Sequence, residues 1–175
     1  LVILSRLPYP LEKGDKLRAY HQLRELNKKN EVILCCLTTE DSQEKHLAEV
    51  RKVCNKLHVF KLTKWRIYLN LLFAFFSRKP FQVHYFYQRS IHKTIQKIIS
   101  DSEPDHIFCQ LLRTAEYAKD EHNYRKTIDY QDAFSKGMER RADRARFPLR
   151  EVFNLERKRL VAYENIIFEY FETKV

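Results

Sequence analysis

Two carboxylates stand three residues apart in Asp129-Tyr130-Gln131-Asp132, at the end of a run that begins at Lys126. One of them could accept the proton of a hydroxyl nucleophile, or orient that hydroxyl. The other could cap the helix that follows, because Asp is a favoured N-cap. The spacing leaves the two roles open between Asp129 and Asp132. Arg113 follows the apolar run Ile107–Leu111. A guanidinium just beyond a strand can hold a carboxylate or phosphate through two parallel bonds. It could equally pair with Glu116 or Asp120. Gly14 precedes a helical pattern, and a helix N-terminus beside a residue without Cβ admits a phosphate. Arg18, one turn further, could reach the same anion. The alternative is a plain glycine turn in a loop stiffened by Pro8 and Pro10. The segment is neither a GxGxxG fingerprint nor a Walker A loop.

Other chemistries find no pattern. The four cysteines, at 35, 36, 54 and 109, form no CxxC pair, and the seven histidines form no HExxH. The cysteines read as buried thiols of a reducing compartment, which makes the cytoplasm the default location. The stretch Ser135–Arg146 holds Lys136 and four arginines, and alone it could face RNA or phosphate. Glu139 and Asp143 interleave with them, so the stretch reads instead as a solvated face of mixed charge.

These side chains need elements to carry them. Leu1–Leu4, Val32–Leu37, His58–Leu62, Ile107–Leu111 and Lys126–Tyr130 read as strands, the second apolar throughout as in a strand covered on both faces. Helical patterns begin at Asp15 (Leu17, Tyr20, Leu23 and Leu26 as its stripe) and cover Asp41–Cys54, Trp65–Phe76, Ser90–Ile99 and Thr114–Lys119. They continue over Ala133–Arg146 and, as one long last helix leaning away from the rest, Leu149–Glu172. Phe81–Tyr87 reads as a small strand or an extended link. The alternation predicts an α/β fold with a Rossmann-like parallel sheet and helices on both faces. Ligands of such a sheet bind outside the carboxyl ends of its strands. The loops to watch are therefore Ser5–Gly14, Thr38–Asp41, Gln110–Thr114 and Gln131–Ala133.

The 175 residues are 44% hydrophobic and 32% charged, which excludes a disordered tail. Net charge is +10. Residues 1–100 hold 19 basic and 8 acidic side chains, against 14 and 15 in the remainder, so the first part should attract something anionic. The aromatics sit mostly inside apolar runs, and no RRM, KH or helix-turn-helix signature is present, so nucleic acid is not expected as a partner. Ile67–Phe76 is too short to span a bilayer. The apolar residues of Trp65–Phe76 nevertheless cover nearly the whole helix circumference, with Arg66, Arg78 and Lys79 at its ends. Such a helix needs a cover: lipid, another domain or a second subunit. The chain opens on Leu1 without a signal-like segment, which reads as a trimmed start.

Arg6-Leu7-Pro8-Tyr9-Pro10, then Gly14-Asp15-Lys16-Leu17-Arg18, then Asn30-Glu31-Val32-Ile33-Leu34 together resemble the opening of a GT-B glycosyltransferase. The close comparison is with the family-4-like sugar transferases of bacterial polysaccharide synthesis. Asp129–Ser135 with Met138–Arg141 is similar to a second block of that group, and Glu156–Glu164 to its long linking helix. The resemblance implies an acceptor-side domain over 1–148, a linking helix over 149–175, and a second, donor-binding domain that this chain does not carry. It implies transfer of a sugar from a nucleotide-sugar to a hydroxyl of a saccharide or lipid-linked acceptor. Asp132 or Asp129 would serve as the catalytic carboxylate, and Gly14, Asp15, Arg18 and Arg113 would bind substrate. Members of that fold usually need no metal, and no DxD motif occurs here, so the resemblance implies no cofactor or metal. Many members carry a glycine pair where this chain has Gly14-Asp15. The chain alone would be inactive, and the enzyme would work in the cytoplasm, peripherally at the inner face of the membrane. The rival reading is a Rossmann-like regulatory or anion-binding module without catalysis.

Overall fold

The computed structural model describes residues 1–130 and 134–175. In chain order the first elements are β1 (Val2–Leu4), α1 (Gly14–Leu26), β2 (Ile33–Thr38), α2 (Glu44–Arg51), β3 (Lys56–Lys61) and α3 (Lys64–Ala74). There follow α4 (Phe81–Phe86), α5 (Arg89–Ser102), β4 (His106–Gln110), α6 (Leu112–Ala115) and β5 (Arg125–Asp129). The chain closes with α7 (Phe134–Arg144), α8 (Leu149–Ile167), a 3-10 turn at Phe168–Tyr170 and β6 (Thr173–Lys174). All pairings are parallel, in the order β3-β2-β1-β4-β5-β6.

Side chains alternate across this sheet, and both of its faces are covered. Val2 and Leu4 of β1, with Leu34 and Cys36 of β2, join Ala19 and Leu23 of α1 and Val50 of α2. Ile3, Cys35 and Leu37 point the other way, into the core formed with α3, α4, α5, α6 and α8. This is why β1 and β2 read as unbroken apolar runs. All four cysteines are buried and free, and burial pushes the Cys35 and Cys109 thiols up to about 12. α5 carries the cleanest helical signal, turning Ile91, Ile95 and Ile99 inward. In α1 the expected stripe does not hold. Ala19 and Leu23 are buried, whereas Leu17 and Leu26 are exposed. A strict spacing of three falls short of the 3.6-residue turn, so it drifts off one face within three turns.

Two expectations are corrected. Phe81–Tyr87 is not extended: Phe81–Phe86 is the helix α4. Its first turn is completed from far along the chain, where the Glu156 carboxylate accepts from the Phe81 and Gln82 N–H groups at 2.7 and 3.1 Å. The last helix does not run to residue 172 and does not lean away. It ends at Ile167, with Leu160, Tyr163 and Ile167 in the core. Phe171 is buried too, and the strand after it pairs with β5 at the sheet edge.

α5 ends on Glu103 with φ 41°, in the left-handed region. A side chain there costs on the order of 1 kcal/mol, which glycine avoids. Glu103 is exposed, so Glu103→Gly is expected to raise stability by about 0.5 kcal/mol, read as a higher midpoint in urea.

Glu116 follows α6 and ties this face together. It accepts from Lys79 at 2.8 Å and from the Tyr163 hydroxyl at 2.9 Å, and Lys119 lies 3.5 Å away. Burial pushes its carboxyl up, but the Lys79 bond and the surrounding charges outweigh this and hold it below its ordinary value. A carboxyl lowered in this way stabilises the fold above its unfolded pKa, and that stability is lost as pH falls through the folded pKa. Glu116→Gln should cost about 2 kcal/mol at neutral pH. Urea titrations repeated at successively lower pH should show variant and wild type converging as the folded Glu116 carboxyl takes up its proton.

Candidate functional site

The chain leaves β1 toward β2 on one side, and β4 lies on the other. At this reversal the connections after β1 and β4 diverge and open a crevice at the carboxyl edge of the sheet. A cleft of about 850 Å3 lies there. Its walls are the loop after β1 (Ser5, Arg6, Tyr9, Lys13), the loop after β2 (Thr38–Asp41), Gln82 and Tyr85 of α4, Arg113 of α6, and Arg140 and Arg141 of α7. Three of the four loops marked from the sequence thus contribute. The fourth, Gln131–Ala133, lies outside the described residues, and the expected Asp132 lies with it.

Arg113 is the most constrained cation of the cleft. Its Nε and Nη2 both donate to Gln82 Oε1, at 3.1 and 2.9 Å. The guanidinium lies over the Phe86 and Phe134 rings, 5.1 and 4.8 Å from their centroids. The expected partners Glu116 and Asp120 do not pair with it. Burial pushes its pKa down to about 10, Arg6 and Arg141 add repulsion, and Asp15 opposes them. Arg113 therefore stays charged at neutral pH. Its hydrogen-bond partner among the described residues is a neutral amide.

The turn that aims it is strained. Leu111, between β4 and α6, has φ 67° and ψ 154° and is buried. That backbone region is almost confined to glycine and costs on the order of 1–3 kcal/mol for other residues. The Leu111 N–H donates to the Asp129 carbonyl at 2.8 Å, and the Thr114 hydroxyl donates to the Gln110 carbonyl at 2.9 Å. Together they turn the chain sharply off β4 and point Arg113 into the cleft.

Gly14, Asp15, Arg18 and Asp129 sit beside the cleft rather than in its walls. Asp129, at the end of β5, is fully buried. It accepts from Arg18 Nε and Nη2 at 2.9 and 3.1 Å and from Gln22 Nε2 at 2.7 Å. Arg18 and Asp129, expected to hold a diphosphate and a hydroxyl, thus meet each other across the edge of the sheet. Asp15 pairs with Arg6 at 3.3 Å, and its carbonyl accepts from Gln110 Nε2 at 3.0 Å. Gly14 opens α1, and a Cβ there would meet nothing within 4 Å.

Arg6, Arg140, Arg141 and Gln82 were not singled out from the sequence. The signal for Arg6 was its place, two residues after β1. For Arg140 and Arg141 the mixed face of α7 hid it. Glu139 leans toward Arg157 of α8, 3.8 Å away, and leaves the two arginines to the cleft. For Gln82 no signal existed, because its segment reads as extended.

Among the described residues no group of three or more His, Cys, Asp or Glu is placed to hold a metal ion, and no helix is long and apolar enough to cross a membrane. Sheet order, parallel pairing and cleft position define a Rossmann-like α/β fold, a shape compatible with nucleotide binding. Compared with protein-family models, with curated proteins and with solved structures, the chain matches none.

Proposed function

We propose that this chain is the acceptor-side domain of a sugar transferase that uses nucleotide-sugar donors, and that its cleft holds an anionic group of the substrates. The observation that carries the reading is Arg113: a half-buried, charged guanidinium at the sheet reversal, with Arg6 and Arg141 beside it and a neutral amide as its partner. Arg6 is paired with Asp15, but Arg113, Arg140 and Arg141 form no ion pair among the described residues, and such a gathering of cations favours a phosphate or carboxylate ligand. The order of sequence blocks adds the direction toward sugar transfer.

In this reaction the acceptor oxygen bonds to the anomeric carbon as the bond from that carbon to the nucleoside diphosphate breaks. The acceptor proton passes to a carboxylate, and the departing diphosphate is stabilised by positive charge. Both oxygens of Asp129 already accept hydrogen bonds, which favours Asp132 for the acceptor hydroxyl, with Asp129 positioning Arg18. A second Rossmann-like domain would hold the nucleotide.

The test is transfer by the full-length gene product, with a panel of UDP-, GDP- and dTDP-sugars and a membrane extract as acceptor. Transfer that falls at least about a hundredfold in Arg113→Ala supports both the activity and the cleft. Transfer untouched by that change removes the cleft from the reaction. A folded protein that turns over no donor leaves a non-catalytic anion-binding module instead.

A further inference from the structure

We propose that the outward face of α3 seats the protein on an anionic lipid bilayer. The inner face of α3 is fully used. Ile67 and Ala74 are buried, and Asn70 Nδ2 donates to the His84 and Tyr87 carbonyls at 3.2 and 2.7 Å. The outer face has no such cover. Trp65, Tyr68, Leu72, Phe73 and Phe76 are 58, 71, 59, 65 and 89% exposed. Trp65, Tyr68, Leu72 and Phe73 fall at i, i+3, i+7 and i+8, one stripe of α3, and Phe76 at i+11 extends it just past the helix end. Single exposed apolar side chains are ordinary; a stripe of five large ones, four of them aromatic, is not.

Charge decides what covers the stripe. From Arg51 to Ser100 the chain carries eleven Lys and Arg and no Asp or Glu. Arg51, Lys52, Lys56, Lys61 and Lys79 pair with carboxylates from elsewhere, whereas Lys64, Arg66 and Arg78 pair with none among the described residues. Lys64, Arg66 and Arg78 lie at the two ends of the stripe. A second copy docked face to face would bring these cations together with no carboxylate in the segment to offset them, and like charges across an interface oppose association. An anionic bilayer neutralises them and receives the aromatic residues at its headgroup level. At 11 residues α3 is about 16 Å long, too short to span, so it lies in the interface plane. Leu71, on the same helix, lines the cleft. Docking through α3 therefore brings the cleft mouth beside the membrane surface. None of this requires the transferase reading.

Trp65 is the single tryptophan of the chain and stands on the stripe, so its emission reports contact directly. The protein is titrated with mixed phosphatidylglycerol–phosphatidylcholine vesicles and with phosphatidylcholine alone. Expected are sedimentation with the mixed vesicles, a blue shift of Trp65, and partial release by salt. Phe73→Ser with Phe76→Ser alters no charge and no buried side chain. It should keep the thermal midpoint and lower partitioning by at least about tenfold. Arg66→Glu with Arg78→Glu should do the same by charge, about fivefold per position. A protein that neither sediments nor shifts overturns the proposal. So does a serine variant that partitions like wild type, which would mean diffuse attraction by net charge. A wild-type dimer dispersed by the serine changes would name a second copy as the occupant and overturn it as well.

Discussion

Replacing Arg18 by Met is expected to cost about 3 kcal/mol of stability, more than the loss of its partner Asp129 to Asn, at about 1–2 kcal/mol. The asymmetry follows from burial. The Asp129 side chain has no exposure, whereas that of Arg18 is 40% exposed. Without Arg18 a carboxylate stays inside the protein with Gln22 as its remaining side-chain donor. Without the Asp129 charge, a half-exposed guanidinium turns to water. The figure for Arg18→Met is set at the low end for a broken buried pair, because solvent screens the exposed end of this one. The diagnostic is the double variant. Arg18→Met with Asp129→Asn removes the orphaned charge and should be more stable than Arg18→Met alone, by about 1 kcal/mol. Midpoints in urea for the four proteins decide it. A double variant weaker than both singles would mean that the pair is not what holds β5 to α1.

The same pair shows what the sequence carries and what it cannot. Arg18 and Asp129 were both legible as polar residues at the carboxyl edge of a parallel sheet, because strand ends and the loops after them follow from apolar runs and prolines. That they meet was not legible. They lie 111 residues apart, and only the sheet order places α1 beside the end of β5. α4 is the same case in backbone form. Phe81–Phe86 has no helical signal of its own, since its first-turn partner is a carboxylate 75 residues away. β6 pairs through two residues, fewer than any hydrophobic period needs to declare itself. Arg113 was legible by position, but its surroundings were not: Gln82 reaches it from α4 and Phe134 from α7. Local pattern announces elements. Side-chain partners of a buried charge are set by topology, and topology is where sequence reading thins out.

Replacing Arg113 by Met should move two measurements in opposite directions. Anion binding to the cleft, followed with inorganic pyrophosphate by calorimetry, should weaken by about 2–3 kcal/mol, roughly 30- to 160-fold, as a charge-assisted contact is lost. Stability should stay level or rise by about 1 kcal/mol. The physical ground is the cost of the charge in place. Burial and the neighbouring Arg6 and Arg141 disfavour the charged guanidinium enough to bring its pKa to about 10. A base lowered in this way stays charged through neutral pH in both folded and unfolded chains, so its burial is a constant penalty there. The fold regains stability only as pH rises above about 10, where the folded form releases its proton first. Met keeps the length and lies as well between Phe86 and Phe134 without the charge. Affinity of the wild type should correspondingly be flat from about pH 7 to 9, because Arg113 keeps its charge throughout that range. Arg113→Lys separates charge from geometry: it keeps the cation but not the fork held by Gln82, and should recover less than half of the lost binding energy. If Arg113→Met lowers stability and leaves pyrophosphate binding intact, Arg113 is a packing residue that happens to be charged, and the anion site belongs elsewhere in the cleft.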